Sequence, residues 1–378
     1  MSRVKLADVI IRANTKVDKD HTDLKYYVGG EHFESGNVTV EQRGLIEGST
    51  IGPMFYYGFK AGQFLLVSRN PHLKKAGVVD FDGICSEKTF VLQTANPEVL
   101  IPEYLPFVLQ NDRFWDYAVE HKHGSTNFFI NWSTLADYEF ELPSVEEQNR
   151  VATLAWAAHR LKKEYHKLIE ATDNLVKSQF IEMFGNEKEV VRLDQLCAHF
   201  GDGDWIESKD QSEEGIRLIQ TGNVGNGEYK DKGDKARFVS EETFSRLGCT
   251  EVFPGDILIS RLPDPIGRAC IIPEMPKSIT AVDCTIVRLK SELTPMFFVT
   301  FTKTPAYTSQ IDSFTTGSTR KRISRVNLGS ILVPVPSIAK QNEFVAFAEQ
   351  SDKSKFELQQ AIEKVDNLIK SLIQQDNN

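Results

Sequence analysis

The chain has 378 residues, of which 40% are hydrophobic and 26% charged, and its formal net charge is −9. This composition is typical of a soluble globular protein with two or three domains. Its apolar runs are too short for a transmembrane helix, and its charged start does not suit a signal peptide, so we expect a cytoplasmic protein without membrane contact. The five cysteines are odd in number and lack Cys-x-x-Cys spacing, which predicts free thiols and no zinc site.

The negative charge argues against a lone DNA-binding module, because contacts to phosphate groups usually make such modules basic. DNA binding remains compatible with this charge in two ways. Local basic patches can bind while acidic surface elsewhere faces partners, or partner subunits supply much of the phosphate contact.

In chain order, the predicted elements form two units of the same layout. Residues 1–144 and 187–337 hold short β-type runs broken by Gly and Pro, with a few helical patches, which predicts a mixed α+β domain in each unit. Residues 145–186 and 338–378 follow as long helices, with Ser144 and Ser337 as the predicted N-cap residues.

The two units are copies of each other. When the sequence is displaced by 193 residues, positions 124–178 align with 317–371 without a gap, and 19 of these 55 pairs are identical. About 3 identities would be expected by chance. Weaker similarity extends upstream, where residues 61–69 align with 254–261 if one residue is slipped. Between these anchors the halves diverge, which indicates a shared scaffold that carries different surface loops.

Heptad spacing predicts that the long helices pair as an antiparallel coiled coil. With a pseudo-twofold relation between the units, two rods of roughly 55 Å would carry one domain at each end. The alternative is that each helix folds back on its own domain. The predicted helix-pairing residues are Leu154, Leu161, Leu168, Leu175, Phe347, Leu358, Val365, Leu368 and Leu372.

Each domain ends with the same junction. Gly317-Ser318-Thr319, Ile323, Leu328, residues 331–337 and Gln341 repeat Gly124-Ser125-Thr126, Ile130, Leu135, residues 140–144 and Gln148. This doubled junction, which closes a divergent domain and opens a heptad helix, resembles the specificity subunit of type I restriction-modification systems over essentially the whole chain. The two halves are less alike in the helices than in a fully symmetric member of that family.

The resemblance implies two target-recognition domains, each of which reads one half of a split site in double-stranded DNA. It further implies that the helices set the spacing of the half-sites and dock two modification (methyltransferase) subunits, which restriction subunits may join. S-adenosylmethionine, ATP and Mg²⁺ would then belong to these partners, and this chain would bind no cofactor. The alternatives are a methylation-only complex, a duplicated interaction scaffold and a nuclease.

Polar and basic side chains at the junctions and at the strand exits are the predicted DNA contacts, because they suit phosphate groups and base edges. In the first unit these are Arg69, Asn70, Lys74, Lys75, Ser125, Thr126, Asn127 and Asn131. In the second unit they are Gln220, Thr221, Asn223, Arg261, Arg268, Ser318, Thr319, Arg320, Lys321, Arg322 and Arg325. For each of them the alternative is an ordinary solvated loop, and Phe128 and Phe129 suit either the core or contact with sugars.

The sequence predicts no catalytic residue and no metal site. A DNA methyltransferase that modifies base amino groups needs an Asn/Asp-Pro-Pro-aromatic motif and a Gly-rich cofactor loop, and neither is found. Asp194 or Asp204 with Glu207 and Lys209 matches a nuclease pattern that is short enough to arise by chance. The pair His121 and His123 has no third metal ligand nearby.

Overall fold

The computed structural model describes residues 2–317 and 321–375, and the chain divides into two compact units. The first unit comprises residues 1–165 and 360–378, and the second comprises residues 166–359. Each long helix therefore contributes one half to each unit. Among the described residues, no helix is both long and apolar enough to cross a lipid bilayer.

The described residues of the first repeat form ten strands and five α-helices. Its strands are β1 (Ser2–Lys5), β2 (Ile10–Ala13), β3 (Tyr26–Val28), β4 (Gly44–Leu45), β5 (Phe55–Phe59), β6 (Phe64–Val67), β7 (Ala76–Val78), β8 (Gly83–Ser86), β9 (Thr89–Thr94) and β10 (Glu139–Leu142). Its helices are α1 (Leu6–Val9), α2 (Leu105–Leu109), α3 (Asp112–Glu120), α4 (Trp132–Ala136) and the long α5 (Val145–Phe184).

The described residues of the second repeat also form ten strands and five α-helices. Its strands are β11 (Val190–Arg192), β12 (Cys197–Asp202), β13 (Ile216–Ile219), β14 (Arg237–Val239), β15 (Glu251–Val252), β16 (Ile257–Ser260), β17 (Ala269–Ile271), β18 (Ser278–Thr280), β19 (Cys284–Leu289) and β20 (Leu332–Pro334). Its helices are α6 (Glu241–Leu247), α7 (Pro295–Phe301), α8 (Pro305–Phe314), α9 (Arg325–Gly329) and the long α10 (Ile338–Gln375).

The strand orders of the two repeats are equivalent. The first has sheets β2-β9-β6-β7, β4-β3-β8-β5 and β1-β10, and the second has β12-β19-β16-β17, β14-β13-β18-β15 and β11-β20. In the described part of each repeat, the third and eighth strands are the only named strands that pair in parallel, namely β3 with β8 and β13 with β18. The α+β fold class predicted from the sequence is therefore confirmed, and the duplication extends over the whole of each domain.

A buried glutamine ties each domain to its long helix. The side chain of Gln148 is fully buried, accepts from the N–H of Ile101 at 3.0 Å, and donates to the carbonyls of Val99 and Pro143 at 2.9 Å. Gln341 makes the same three bonds 193 residues further on, with the N–H of Thr294 and the carbonyls of Glu292 and Pro336. One buried amide group thus makes three hydrogen bonds to the backbone at each junction.

The long helices pair antiparallel. In the first unit Lys162 contacts Asp366, and in the second unit Lys355 contacts Asp173, both at 2.7 Å. Lys162 is equivalent to Lys355, and Asp173 to Asp366, so each repeat supplies the lysine of one ion pair and the aspartate of the other. The predicted antiparallel coiled coil is therefore confirmed.

On α5 the buried face is shifted by one residue from the predicted leucine series. The predicted leucines are half-exposed, at 46% for Leu154, 44% for Leu161, 51% for Leu168 and 54% for Leu175, and Leu368 is 52% exposed. The heptad period is correct, but these residues lie beside the seam, as does the partly buried Phe347. A seven-residue repeat gives the period of the apolar stripe along a helix. Contact with the partner helix then determines which stripe lies in the seam.

The seam itself holds smaller and more varied side chains than the leucine series. Its buried members include Ala155, Ala158, Phe180, Phe344, Ala348, Ser351, Ile362 and Val365. Of the residues predicted for pairing, Val365 is buried in the seam, and Leu358 and Leu372 are partly buried on the same face. The leucines that look like the seam in the sequence therefore form a separate apolar stripe along α5.

Candidate nucleic-acid interface

In each domain, backbone hydrogen bonds join the residues that flank the Gly-Ser-Thr junction. His123 and Phe129 exchange backbone hydrogen bonds of 2.7 and 3.0 Å across the first loop, and Thr316 and Arg322 exchange two of 3.0 Å across the second. Gly124 and Gly317 open these loops with φ of 92° and 104°, a conformation that favours glycine. The predicted contacts Ser125, Thr126 and Asn127 are exposed on the first loop.

Each junction loop is joined to the exit of the sixth strand of its repeat. The N–H of Ile130 donates to the carbonyl of Ser68 at 2.9 Å, and the N–H of Ile323 donates to that of Arg261 at 3.3 Å. Ser68 is therefore equivalent to Arg261, so the 193-residue register continues here without the slip that we predicted. The junction loop and the strand-exit loop form one surface in each unit.

In the first unit this surface contains a cavity of about 270 Å³. Arg69, one of the predicted contacts, lines it with its guanidinium 5.9 Å from the centre of the Phe129 ring. Asn131, also predicted, lines it and is exposed. Arg12 on β2 and Lys88 before β9 bring two further cations that sequence reasoning missed, because they are far from the junction in the chain.

In the second unit the same place holds three arginines and two aspartates. Arg261 Nε lies 3.4 Å from Asp202, Arg322 lies 3.7 Å from Asp283, and Arg325 lies 4.0 Å from Asp202. The side chains of Arg322 and Arg325 are 50% exposed, whereas that of Arg261 is 5% exposed and donates to the carbonyl of Val282. The predicted arginines are thus brought together, with two carboxylates beside them.

The remaining predicted residue at this junction that is described, Lys321, is exposed. Ser318, Thr319 and Arg320 lie outside the described residues, and their predicted role in DNA contact stays a prediction.

The other basic residues of the first strand-exit loop form contacts within their own domain. Lys74 forms a 2.6 Å ion pair with Asp112, and Lys75 donates to the carbonyl of Gly30 at 2.6 Å. Asn70 donates its backbone N–H to the carbonyl of Phe128, which binds this loop to the junction loop. These contacts position the loop. Lys74 and Lys75 can contact DNA only if their bonds to Asp112 and Gly30 break.

Arg268 is buried and supports the loops around it. Its guanidinium donates to the carbonyls of Thr221, Val224, Leu262 and Pro265 at 2.7 to 2.9 Å. Burial lowers the pKa of this arginine, because the charged form loses water contacts. All three guanidinium nitrogens therefore have partners inside the domain.

The predicted polar loop of the second unit has one buried and one accessible member. Asn223 is 3% exposed, accepts from the N–H of Gln220 and donates to the carbonyl of Lys230, which makes it a loop-forming residue. Thr221 offers its carbonyl to Arg268. The side chain of Gln220 lines a polar groove of about 600 Å³ with neighbours such as Gln211 and Arg237.

The residues considered for nuclease chemistry have ordinary structural partners. Asp194 pairs with Arg192, and Glu207 pairs with Lys209 at 2.8 Å. Asp204 accepts from the N–H of Thr250, and burial raises the pKa of its carboxyl group. Within residues 2–317 and 321–375, no three His, Cys, Asp or Glu side chains are arranged to hold a metal ion.

Comparison with known proteins first finds similarity to a class of domain. Residues 185–365 match the model of the family "Type I restriction modification DNA specificity domain". One relative is the type I restriction enzyme EcoBI specificity subunit of Escherichia coli, which is 25% identical over 175 residues. That match covers 44% of this chain and 36% of the relative, so the chain spans about a third of the length of that protein. The predicted resemblance to type I specificity subunits is thereby confirmed.

Two solved structures share the fold over nearly the whole chain. One belongs to a study of complex assembly and conformational transition of the type I R-M system; it is 18% identical, covers 99% of this chain and 97% of its own, and gives a TM-score of 0.58. The other is the type I restriction-modification S subunit from M. genitalium, which is 15% identical, covers 100% of this chain and 96% of its own, and gives a TM-score of 0.54. At these identities the likeness concerns the fold alone.

Proposed function

We propose that this protein is the sequence-specific DNA-binding subunit of a type I restriction-modification complex and reads a split site, with one half-site for each recognition domain. The observation that carries the proposal is the repeated surface at the two junctions. In both units a Gly-led loop joins a strand exit beside three cations. Different side chains on one scaffold are what two domains need to read different half-sites.

The local charge at these surfaces removes the objection raised by the net charge of −9. Arg12, Arg69 and Lys88 lie together in the first unit, and Arg261, Arg322 and Arg325 in the second. Basic clusters of this size anchor a protein on phosphate groups, while loop side chains such as Asn127 and Arg322 offer hydrogen bonds to base edges.

We assign methylation and cleavage to partner subunits, which makes this chain a non-catalytic, cytoplasmic component. Two methyltransferase subunits would bind it, and restriction subunits would complete a restriction complex. The half-exposed leucines along α5 support such docking, because a regular apolar stripe on a paired helix is suited to a further helix. S-adenosylmethionine, ATP and Mg²⁺ would be bound by the partners.

The test is to express the chain with the modification subunit of its own system and to map methylated bases by single-molecule sequencing. We expect methylation at two short half-sites separated by a fixed spacer. Changing Lys321, Arg322 and Arg325 together to Ala should abolish methylation at the split site while the complex still assembles. A complex that assembles and methylates without a split motif would contradict the proposal.

The same experiment separates a restriction complex from a methylation-only complex. If the methylating complex binds a restriction subunit and cleaves unmethylated DNA in the presence of ATP and Mg²⁺, the system restricts. If it methylates the split site and recruits no such subunit, the chain serves methylation alone.

A further inference from the structure

We propose that the cavity of the first unit is a binding pocket for one phosphate group of the DNA backbone, with Arg12 as its central ligand. This inference rests on the proposed DNA-binding function and names residues that the sequence did not point to. The cavity, at about 270 Å³, has room for a phosphate group and several ordered waters.

The charge of the lining favours an anion. Arg12, Arg69 and Lys88 face a single carboxylate, that of Glu87, which is in direct contact with Lys88 and accepts from the Tyr56 hydroxyl at 3.3 Å. Two of the three cations are therefore left without a carboxylate in the cavity wall.

Arg12 has hydrogen-bond donors to offer because aromatic rings hold it in place. Its guanidinium carbon lies 4.8 Å from the centre of the Phe90 ring and 5.4 Å from that of Tyr57. Such contacts orient the planar group without using its N–H donors. Its Nε is buried and has no hydrogen-bond partner among the described residues, so the donors that can reach a ligand in the cavity are those of its two terminal nitrogens.

The surroundings favour a phosphate of nucleic acid over a free carboxylate ligand. The cavity adjoins the exposed junction loop with Ser125, Thr126 and Asn127, so a phosphodiester chain has an open path along it. Asn131 lines the rim, and its side chain makes no capping bond to α4, so its amide is available for a second phosphate oxygen. Arginine forks match the geometry of phosphate oxygens.

The second unit differs at the equivalent place. There Arg261 stands where the first unit has Ser68, and its Nε is also buried without a hydrogen-bond partner in the described part of the chain, 3.4 Å from Asp202. Asp283 lies 3.9 Å from the same guanidinium. The cations described in the first unit therefore share one carboxylate, whereas those described in the second unit lie beside two.

The first arm of the test uses the full chain and inorganic phosphate, with binding followed by the broadening of the ³¹P resonance at constant ionic strength. We expect saturable broadening for the wild-type chain, its loss in Arg12→Gln, and its retention in Arg12→Lys. Arg43→Gln is the matched control, because Arg43 lies over Tyr26 and Phe81 at 4.3 and 4.5 Å in the same unit and does not line the cavity. Broadening that persists unchanged in Arg12→Gln would overturn the assignment.

The second arm uses the methyltransferase complex on DNA and measures affinity at several salt concentrations. Loss of one phosphate contact should make the slope of log K against log salt shallower by about 0.9. Arg12→Gln should show this change on cognate and non-cognate DNA alike, whereas Arg12→Lys and Arg43→Gln keep the wild-type slope. An unchanged slope in Arg12→Gln would refute the pocket while leaving the proposed function intact. A wild-type complex that binds no split site would refute the proposed function whatever the phosphate result.

Discussion

At the scale of single residues, the role of each arginine depends on what its donors already contact. Arg268 has four carbonyl partners and stabilises loops, whereas Arg12 is held by rings and keeps donors free. Both are arginines on or beside a strand, and their neighbours in the sequence do not distinguish them. Of these two arginines, Arg268 is the one that we predicted for DNA contact, and it has fewer free donors than Arg12.

The carboxylate of Asp283 should restrain binding to the wrong DNA. It lies 3.7 Å from Arg322 and 3.9 Å from Arg261, so a phosphate that approaches these cations is repelled unless base contacts compensate. We expect Asp283→Asn to tighten binding to non-cognate DNA by about two- to fivefold, the usual range for a partly exposed charge pair. Affinity of the methyltransferase complex for random-sequence duplexes, measured by fluorescence anisotropy, checks this.

Glu274→Gln is the control for the Asp283 variant, since it removes one negative charge from an exposed residue of the same unit outside the cluster. Equal tightening in both variants would mean that net charge, and not the position of Asp283, limits non-cognate binding. Weaker binding in Asp283→Asn would mean that the carboxylate holds the arginines in their binding geometry.

At the scale of elements, the junction between domain and helix depends on one buried amide. Gln148→Ala should leave the N–H of Ile101 and two carbonyls without partners, at a cost of about 1–3 kcal/mol in the free energy of unfolding of that junction. Hydrogen exchange of peptides that contain Ile101 should become faster, and the urea midpoint of the first unit should fall. Asn149→Ala, which removes an exposed amide next to it, should change neither.

Because the junction is repeated, the prediction for Gln148 can be tested a second time at Gln341. Gln341→Ala should cause the same change at Thr294 in the second unit, because the three bonds are equivalent in kind and length. If only one of the two variants is destabilised, the buried amide is not the common reason for this residue at both junctions.

At the scale of the whole molecule, we expect the leucine stripe of α5 to contribute to assembly more than to folding. Leu161 and Leu168 are 44% and 51% exposed, so changing both to Gln should alter the stability of the free chain by less than about 1 kcal/mol. The same double variant should fail to co-purify with the methyltransferase subunit. Val365→Gln places an amide in the seam, where the valine is 8% exposed, and should lower the melting temperature of the free chain instead. Normal assembly of the double variant would exclude this stripe as the docking surface.

The amino-acid sequence by itself determined the duplication, the α+β class, the two long helices and the resemblance to type I specificity subunits. These features follow from identities at a fixed spacing and from local periodicities. Both can be recognised without knowing which distant residues are in contact. The Gly-Ser-Thr junctions and the cationic residues Arg69, Arg322 and Arg325 followed from the same local patterns.

Only the tertiary structure decided the phase of the coiled coil, the inward role of Arg268 and Asn223, and the gathering of Arg12 and Lys88 beside the first junction. The leucines of α5 keep an unbroken heptad, yet the buried face of this helix lies one residue away. Contacts with the partner helix and with the adjoining domain determine which stripe is buried. Whether a cation is free depends on carbonyls, carboxylates and rings that the fold brings from tens of residues away. Partners of this kind produce no periodic pattern in the amino-acid sequence.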